Sequence, residues 1–309
     1  MKEICISFFL FIIQYIGDTM LKGSIVALIT PFDENNEIDY GELNRLLDFH
    51  IQNQTDGLLL LGTTAEAESL TETERIELVR YILSYLDGRI KVMVGIITNQ
   101  TKKAVELAES LEGLEIDSFL VSAPYYIKSN TEGLLKHFHY IADHVDKPIV
   151  LYNVPKRTGL QLDFEVVRIL SYHPNIIGIK EASGDLAYQT KISSLCNASF
   201  VLYGADDLSM IPSLSLGAVG IISVIGNAFP KETRLIIQSF SKDISISRTT
   251  YQKIMQLTED IYKEPSPIPV KYLLFLMGFK TRRLRMPLAE SSIGLRRKLE
   301  EDYLLLLED

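Results

Sequence analysis

From Gly23 to about Lys242, short apolar runs alternate with stretches whose apolar residues recur at helical spacing. The runs are GSIVALITPF (23–32), GLLLLGTT (57–64), KVMVGI (91–96), SFLVSAPYY (118–126), PIVLYNVP (148–155), IIGIKEAS (176–183), SFVLYGAD (199–206) and AVGIISVIGN (218–227). They are rich in Val, Ile and Leu and lack strict polar alternation, the pattern of parallel strands covered on both faces. Between them, Tyr40–Gln54 carries Leu43, Leu46, Leu47 and Ile51 at helical spacing. Thr71–Leu86 opens on TETE, with Glu74 three residues after Thr71 as in a capping box. Further helical segments are predicted near 101–113, 131–145, 163–171, 185–195, 207–216 and 230–242. Eight strand–helix units in about 220 residues predict an α/β fold, a (β/α)8 TIM barrel. A doubly wound open sheet is the rival, but no GxGxxG follows the first run. After about Asp243 only helical patterns remain, near 247–263, 267–278 and 289–306. The expected division is a barrel over 20–242 and a C-terminal helical appendage over 243–309.

The first 19 residues stand apart. ICISFFLFIIQYIG (4–17) is shorter than the roughly 20 apolar residues a bilayer span needs. It resembles a signal-peptide core, but Lys2 is offset by Glu3 and no small-x-small cleavage pattern follows. Met20 directly precedes the regular pattern, so residues 1–19 read as an apolar extension ahead of a working start near Met20. A membrane-associated or exported form is the alternative.

Composition narrows the function. The chain is 47% apolar and 23% charged, as in ordinary globular proteins, and its net charge of −9 argues against non-specific nucleic-acid binding. Two cysteines, Cys5 and Cys196, make no disulfide framework and fit a reducing compartment, so a cytoplasmic location is expected. His137, His139 and His144 fall on what reads as a surface helix, without Cys partners or HExxH spacing. Neither a metal nor a cofactor is expected.

The sixth run, IIGIKEAS, carries Lys180 after a stretch of Ile and Gly. A lysine there is a solvated strand end unless other groups join it. In a (β/α)8 barrel, active sites lie at the C-terminal ends of the strands. Those ends bring Gly62, Thr63, Thr64 and Glu66; Tyr125 and Tyr126; Tyr152, Asn153 and Arg157; Lys180 and Glu181; Gly204, Asp206 and Asp207; and Ser223 and Asn227. Burial disfavours an ammonium, and a neutral amine attacks a ketone to form an imine that withdraws electrons from the neighbouring carbon. Tyr152, one strand away, can shuttle protons, with Thr64 and Tyr126 as relays. Backbone N–H groups of the Gly62–Thr64 turn can hold a carboxylate. Glu66 and Glu181 read as structural, Asp206–Asp207 as a helix start, and Gly217 and Gly220 as close packing.

GSIVALITPF, LGTTAEAESL, APYY, LYNVPKRTG, IIGIKEASGD and EPSPIPVKYLL occur in one order over roughly 21–300, and together they resemble the dihydrodipicolinate synthase family. This is a family of class I pyruvate aldolases to which N-acetylneuraminate lyase is also related. The resemblance implies condensation of pyruvate with aspartate semialdehyde on the lysine-biosynthesis route. It implies Lys180 as the Schiff-base lysine and Tyr152 as the acid/base, with Thr64 as relay. Tyr126 would reach across a tight dimer, which implies a homo-oligomer, commonly a dimer of dimers. Thr63 and Thr64 match the pyruvate-carboxylate pocket, Gly204 and Ile222 its lining, and Arg157 the grip on the semialdehyde carboxylate, a task suited to a guanidinium fork. Two positions depart. Ala65 stands for the usual glycine of GTTGE, which costs about 1 kcal/mol if the turn needs positive φ. Ser266 stands for the usual asparagine of EPNPIP. Asn99 and Tyr125 match a lysine-feedback site, but Ala67, Glu72, Arg75 and Lys103 replace its Ser, His, His and Glu, so feedback by lysine is expected to be weak or absent. Two other readings stay open: a related aldolase with a different aldehyde, and a non-catalytic keto-acid sensor.

Overall fold

The computed structural model describes residues 20–308; the apolar extension expected over 1–19 lies outside the described residues. Eight parallel strands pair in chain order and close on themselves: β1 (Gly23–Ala27), β2 (Gly57–Leu60), β3 (Lys91–Ile96), β4 (Ser118–Ser122), β5 (Ile149–Asn153), β6 (Ile176–Glu181), β7 (Val201–Gly204) and β8 (Gly220–Ser223). The outer layer is α1 (Tyr40–Gln52), α2 (Glu72–Leu86), α3 (Thr101–Glu109), α4 (Thr131–His144), α5 (Phe164–Leu170), α6 (Leu186–Ser193), α7 (Met210–Ser215) and α8 (Pro230–Phe240). The TIM barrel is followed by α9 (Ile244–Asp260), α10 (Ile268–Leu276) and α11 (Ile293–Glu308).

Alternation along each strand explains why the runs looked apolar throughout. On β4, Leu120 joins the cluster inside the barrel, while Phe119 and Val121 pack beneath the helices. On β5, Val150 and Tyr152 point in, and Ile149 and Leu151 point out. Both faces are buried, so polarity has nowhere to alternate. Each such Leu, Ile or Val contributes about 1.5–3 kcal/mol by leaving water. Met20 and Leu21 belong to the inner cluster, and Tyr203 donates its hydroxyl to the Leu21 carbonyl at 2.9 Å. Gly220 is required by close packing: a Cβ there would lie 2.7 Å from the Gly23 carbonyl oxygen.

Every strand ladder but β3 is shorter than the run that announced it, β1 and β2 among them. β1 stops at Ala27 and β2 at Leu60, yet Leu28, Ile29, Phe32 and Leu61 are buried. The Leu28 N–H adds one last bond to β2, at the Leu59 carbonyl 3.1 Å away, and the Ile29 N–H then turns to the Asn227 side chain at 3.1 Å. The α2 capping box forms as expected, with Glu74 N–H to Thr71 Oγ1 at 3.2 Å and Thr71 N–H to Glu74 Oε2 at 2.8 Å. A helical turn at Pro155–Thr158, ended by Gly159 at φ +69°, had no apolar periodicity to reveal it. The C-terminal helices are fused to the barrel by an apolar cluster that joins Met210, Ile221 and Ile236 to Ile254, Leu273 and Leu299.

The helix over Thr131–His144 lies at the surface, as expected, but His137 is on its buried face. The His137 ring is buried and its Nδ1 lies 2.9 Å from the Thr101 hydroxyl. His50 is buried too, against Thr55. Burial holds His50 down to about 3 and His137 down to about 4, from the usual 6.5. Both rings are neutral in the fold but take up protons when the chain unfolds below pH 6.5. Their contribution is complete above pH 6.5 and is lost as pH falls towards 4 and then 3. Melting temperature should therefore decline below pH 6.5, and His50→Asn, whatever its stability at pH 7, should decline less steeply. Parallel profiles for the two proteins would remove His50 from the explanation.

Candidate active site

Register brings the chemistry together. Tyr152 on β5 and Lys180 on β6 are paired Cα neighbours, and both side chains turn inward. The Lys180 Nζ lies 4.2 Å from the centre of the Tyr152 ring, and among the described residues no carboxylate pairs with it. With no carboxylate beside it, the nitrogen is open to an incoming carbonyl carbon. Tyr152 also lines a cavity of about 280 Å³, together with Thr63, Ser122, Tyr125, Arg157 and Ser266. Lys180 does not line it; it stands beside the tyrosine ring, at the edge of that space.

The mouth loops set the other groups. Thr63–Ala65 form a tight helical turn after β2. Positive φ falls at Leu61 (51°) and Glu66 (56°), not at Ala65, so alanine is unstrained there and the suspected cost does not arise. Thr64 is buried, and its hydroxyl lies 3.3 Å from that of Ser266. The turn after β5 carries Arg157, whose Nη2 donates to the Ser266 carbonyl at 2.8 Å. Ser266 thus touches both flanks of the mouth. Ile222 on β8 faces the lumen with Tyr152.

Two sequence candidates are placed elsewhere. A Cβ on Gly204 would meet Ser213 Cβ at 2.7 Å and Ile221 Cδ1 at 2.8 Å. That face is turned to the helix layer, and packing demands the glycine. Tyr126 is 92% exposed at φ +66° and stays out of the cavity within one chain. Tyr125 takes the cavity wall, donating to Glu68 Oε2 at 2.7 Å; burial first, then that carboxylate, pushes its hydroxyl up to about 12.

The acidic residues are supports. Glu181 is buried, accepts from Asn153 Nδ2 at 2.7 Å and from the Ser183 N–H at 2.6 Å, and has its pKa raised by burial. Asp206 caps and Asp207 opens the short helical turn before α7, as expected, and the fully buried Asp207 carboxylate also accepts from the Val224 and Ile225 N–H groups at 2.9 and 2.8 Å and clamps the end of β8. Asn227 accepts from Ile29 and donates to the Ala27 carbonyl at 2.8 Å, closing the β8–β1 seam. Glu66 pairs with Lys271 of α10 at 2.5 Å, both side chains fully buried. Lys271 also donates to the Arg283 carbonyl at 2.8 Å and sits 4.4 Å from the Phe32 ring centre. Burial pushes its ammonium down to about 8 against the pull of Glu66. Lys271 escaped sequence reasoning; its one signal was a lone cation inside IPVKYLLFL. No group of three or more His, Cys, Asp or Glu that could hold a metal occurs among the described residues.

Residues 20–303 match the profile of the dihydrodipicolinate synthetase family. The chain belongs to this family. A 4-hydroxy-tetrahydrodipicolinate synthase of Clostridium perfringens is 39% identical over 291 residues, 94% of this chain and 97% of that one. Among solved relatives is the chloride-inhibited dihydrodipicolinate synthase of Acinetobacter baumannii complexed with pyruvate, 34% identical, with TM-score 0.90, covering 93% of this chain and 99% of that one. Another, from Cyanidioschyzon merolae with lysine bound, is 32% identical, with TM-score 0.88, covering 93% and 98%. Within the family frame, this chain's own support for the GTT turn is the Glu66–Lys271 pair. Lys271→Met strands a buried carboxylate and should lower the unfolding free energy by about 3–5 kcal/mol, whereas adding Glu66→Gln should recover part of it. Chemical denaturation reads both; a loss below about 1 kcal/mol in the single variant would show that the pair contributes little.

Proposed function

We propose that the protein is a 4-hydroxy-tetrahydrodipicolinate synthase, condensing pyruvate with L-aspartate 4-semialdehyde in lysine (diaminopimelate) biosynthesis. The observation that carries this is the inward pairing of Lys180 with Tyr152 at the edge of a cavity overhung by Thr63 and Arg157. Lys180 attacks the pyruvate keto carbon, and water leaves as the imine forms. A methyl proton departs to give the enamine, whose carbon adds to the aldehyde carbon while the aldehyde oxygen takes a proton. The amino group then attacks the imine carbon and expels Lys180. Tyr152 moves the protons, relayed by Thr64 and by Tyr126 of the partner subunit. Thr63 and Thr64 hold the pyruvate carboxylate and Arg157 that of the semialdehyde. Ile222 walls the pyruvate pocket; at Gly204 only backbone is available for that task.

A homo-oligomer, in a dimer-of-dimers arrangement, suits the exposed Tyr126. No described helix is long and apolar enough to cross a membrane, and the reading places the enzyme in the cytoplasm, with no nucleic-acid partner. The barrel over 20–242 and the helices over 243–309 act as one catalytic unit, because Ser266 and Lys271 complete the mouth.

The deciding assay offers both substrates to a Met20-start protein, coupled to a reductase for the product. Turnover should vanish in Lys180→Ala and fall roughly 100-fold or more in Tyr152→Phe. Borohydride trapping of pyruvate without turnover would assign a different aldehyde. No trapping would leave the non-catalytic sensor.

A second cavity, of about 230 Å³, contains Glu72, Arg75, Asn99 and Lys103, with Tyr125 and Glu68 on the wall it shares with the first. Two of its three carboxylates are engaged, Glu68 by Arg75 at 3.2 Å and Glu72 by Lys103 at 3.8 Å, while Glu106 has no ion pair among the described residues. Lysine binding at Glu68 or Glu72 would have to displace a cation with a cation. Lysine at about 1 mM should change the initial rate less than about twofold, below even a 1.4 kcal/mol (tenfold) coupling; strong inhibition below that concentration would refute this.

A further inference from the structure

β4 contributes a group the mechanism above does not use. Leu120 points into the barrel, so Ser122, two residues on, does too, and Ser122 is the Cα partner of Tyr152. Ser122 is 2% exposed and lines the cavity, yet its hydroxyl has no hydrogen-bond partner among the described residues. Of the buried side-chain atoms left without a partner there, it is the one that belongs to this cavity's wall. A buried hydroxyl without a partner costs about 1–3 kcal/mol, a cost that a ligand oxygen can remove.

We propose that Ser122 is a binding residue for the second substrate: its hydroxyl donates to the aldehyde oxygen during carbon–carbon bond formation, a role that rests on the reaction proposed above. Geometry separates the two reacting carbonyls. Lys180 is two strands from Ser122, about 10 Å along the wall at ~4.8 Å per strand, so the imine carbon forms beside Tyr152 and away from Ser122. The space that Ser122 lines is bounded by Tyr152 and Arg157, with Thr63 of the pyruvate-carboxylate pocket on its wall. A semialdehyde whose carboxylate meets Arg157 carries its carbonyl toward Tyr152, and Ser122 flanks the same position on the neighbouring strand. As the enamine carbon bonds to the aldehyde carbon, the carbonyl π pair moves onto oxygen. Tyr152 delivers the proton and Ser122 stabilises the developing charge by its hydrogen bond.

The test compares parent, Ser122→Ala and Ser122→Thr as full enzymes. For Ser122→Ala, kcat/KM for the semialdehyde should fall about tenfold, as one lost hydrogen bond allows, with KM for pyruvate within twofold of the parent. Borohydride should trap pyruvate on Lys180 at the parental rate, and Ser122→Thr, which keeps the hydroxyl, should restore most of the loss. The melting temperature of ligand-free Ser122→Ala should equal or exceed the parent's, because a partnerless hydroxyl is removed. A lower melting temperature with equal losses for both substrates would make Ser122 structural and overturn the proposal. Unchanged kcat/KM in Ser122→Ala, with the parent active, would overturn it alone; an inactive parent would overturn the proposed reaction and this role together.

Discussion

The buried ion pair between Lys271 and Glu66 ties the C-terminal helices, already packed on the barrel by apolar contacts, to the mouth turn after β2. One partner comes from the C-terminal helix α10 and the other from the turn after β2. Neither can be left alone in the interior, since an unpaired charge there costs several kcal/mol. Each finds further partners: Glu66 Oε2 accepts the Arg285 N–H at 3.0 Å, and Lys271 reaches the Arg283 carbonyl. Arg285 then grips Glu74 at the start of α2 and lies over Phe32. The result is a charged clasp, directional because every member needs its hydrogen bonds, that sets the height of Thr63 and Thr64 above the barrel. An apolar contact of equal area would hold the same elements together without fixing that height.

A second constraint acts inside the barrel. Parallel register places Ser122, Tyr152, Lys180 and Tyr203 at matched positions on four successive strands. Their neighbours toward the N-terminal end are apolar or glycine: Leu120, Val150, Gly178 and Val201. Ser122, Tyr152 and Lys180 thus stand together toward the mouth above a largely apolar layer, whereas the Tyr203 hydroxyl is already taken by the Leu21 carbonyl ahead of β1. Lys180 is tolerated because its nitrogen meets a π face rather than hydrocarbon.

The mouth is also where neighbouring cavities share material. Glu68 and Tyr125 line both, and Glu68 is held by Tyr125 on one side and Arg75 on the other. A carboxylate divided between a phenol and a guanidinium has little left to offer a new cation. Substitutions on the second cavity thus bear on the first through one short side chain.

How much of this was legible beforehand follows from what local sequence encodes. The eight apolar runs, the helical periods between them and the Thr71–Glu74 capping box are local patterns, and they determined strand order, barrel class and the mouth as the site of chemistry. Lys180 and Tyr152 stood out as reactive types at the C-terminal ends of neighbouring strands, while the role expected of Arg157 came from the resemblance to the family. Strand ends at β1 and β2 were overrun, since burial in a packed loop looks the same in sequence as burial in a ladder. The outward turn of Gly204, the clamp made by Asp207, the burial of His137 and the exposure of Tyr126 depend on which neighbour each face meets. Lys271 is the extreme case: its partner Glu66 lies 205 residues away, and no local pattern distinguishes a paired buried lysine from a solvated one. Residue types and their periods determined the barrel and its reactive groups; only tertiary packing decided which polar atoms found partners and which, like the Ser122 hydroxyl, were left facing the cavity, because hydrogen bonds and ion pairs between distant segments exist only once the chain has closed.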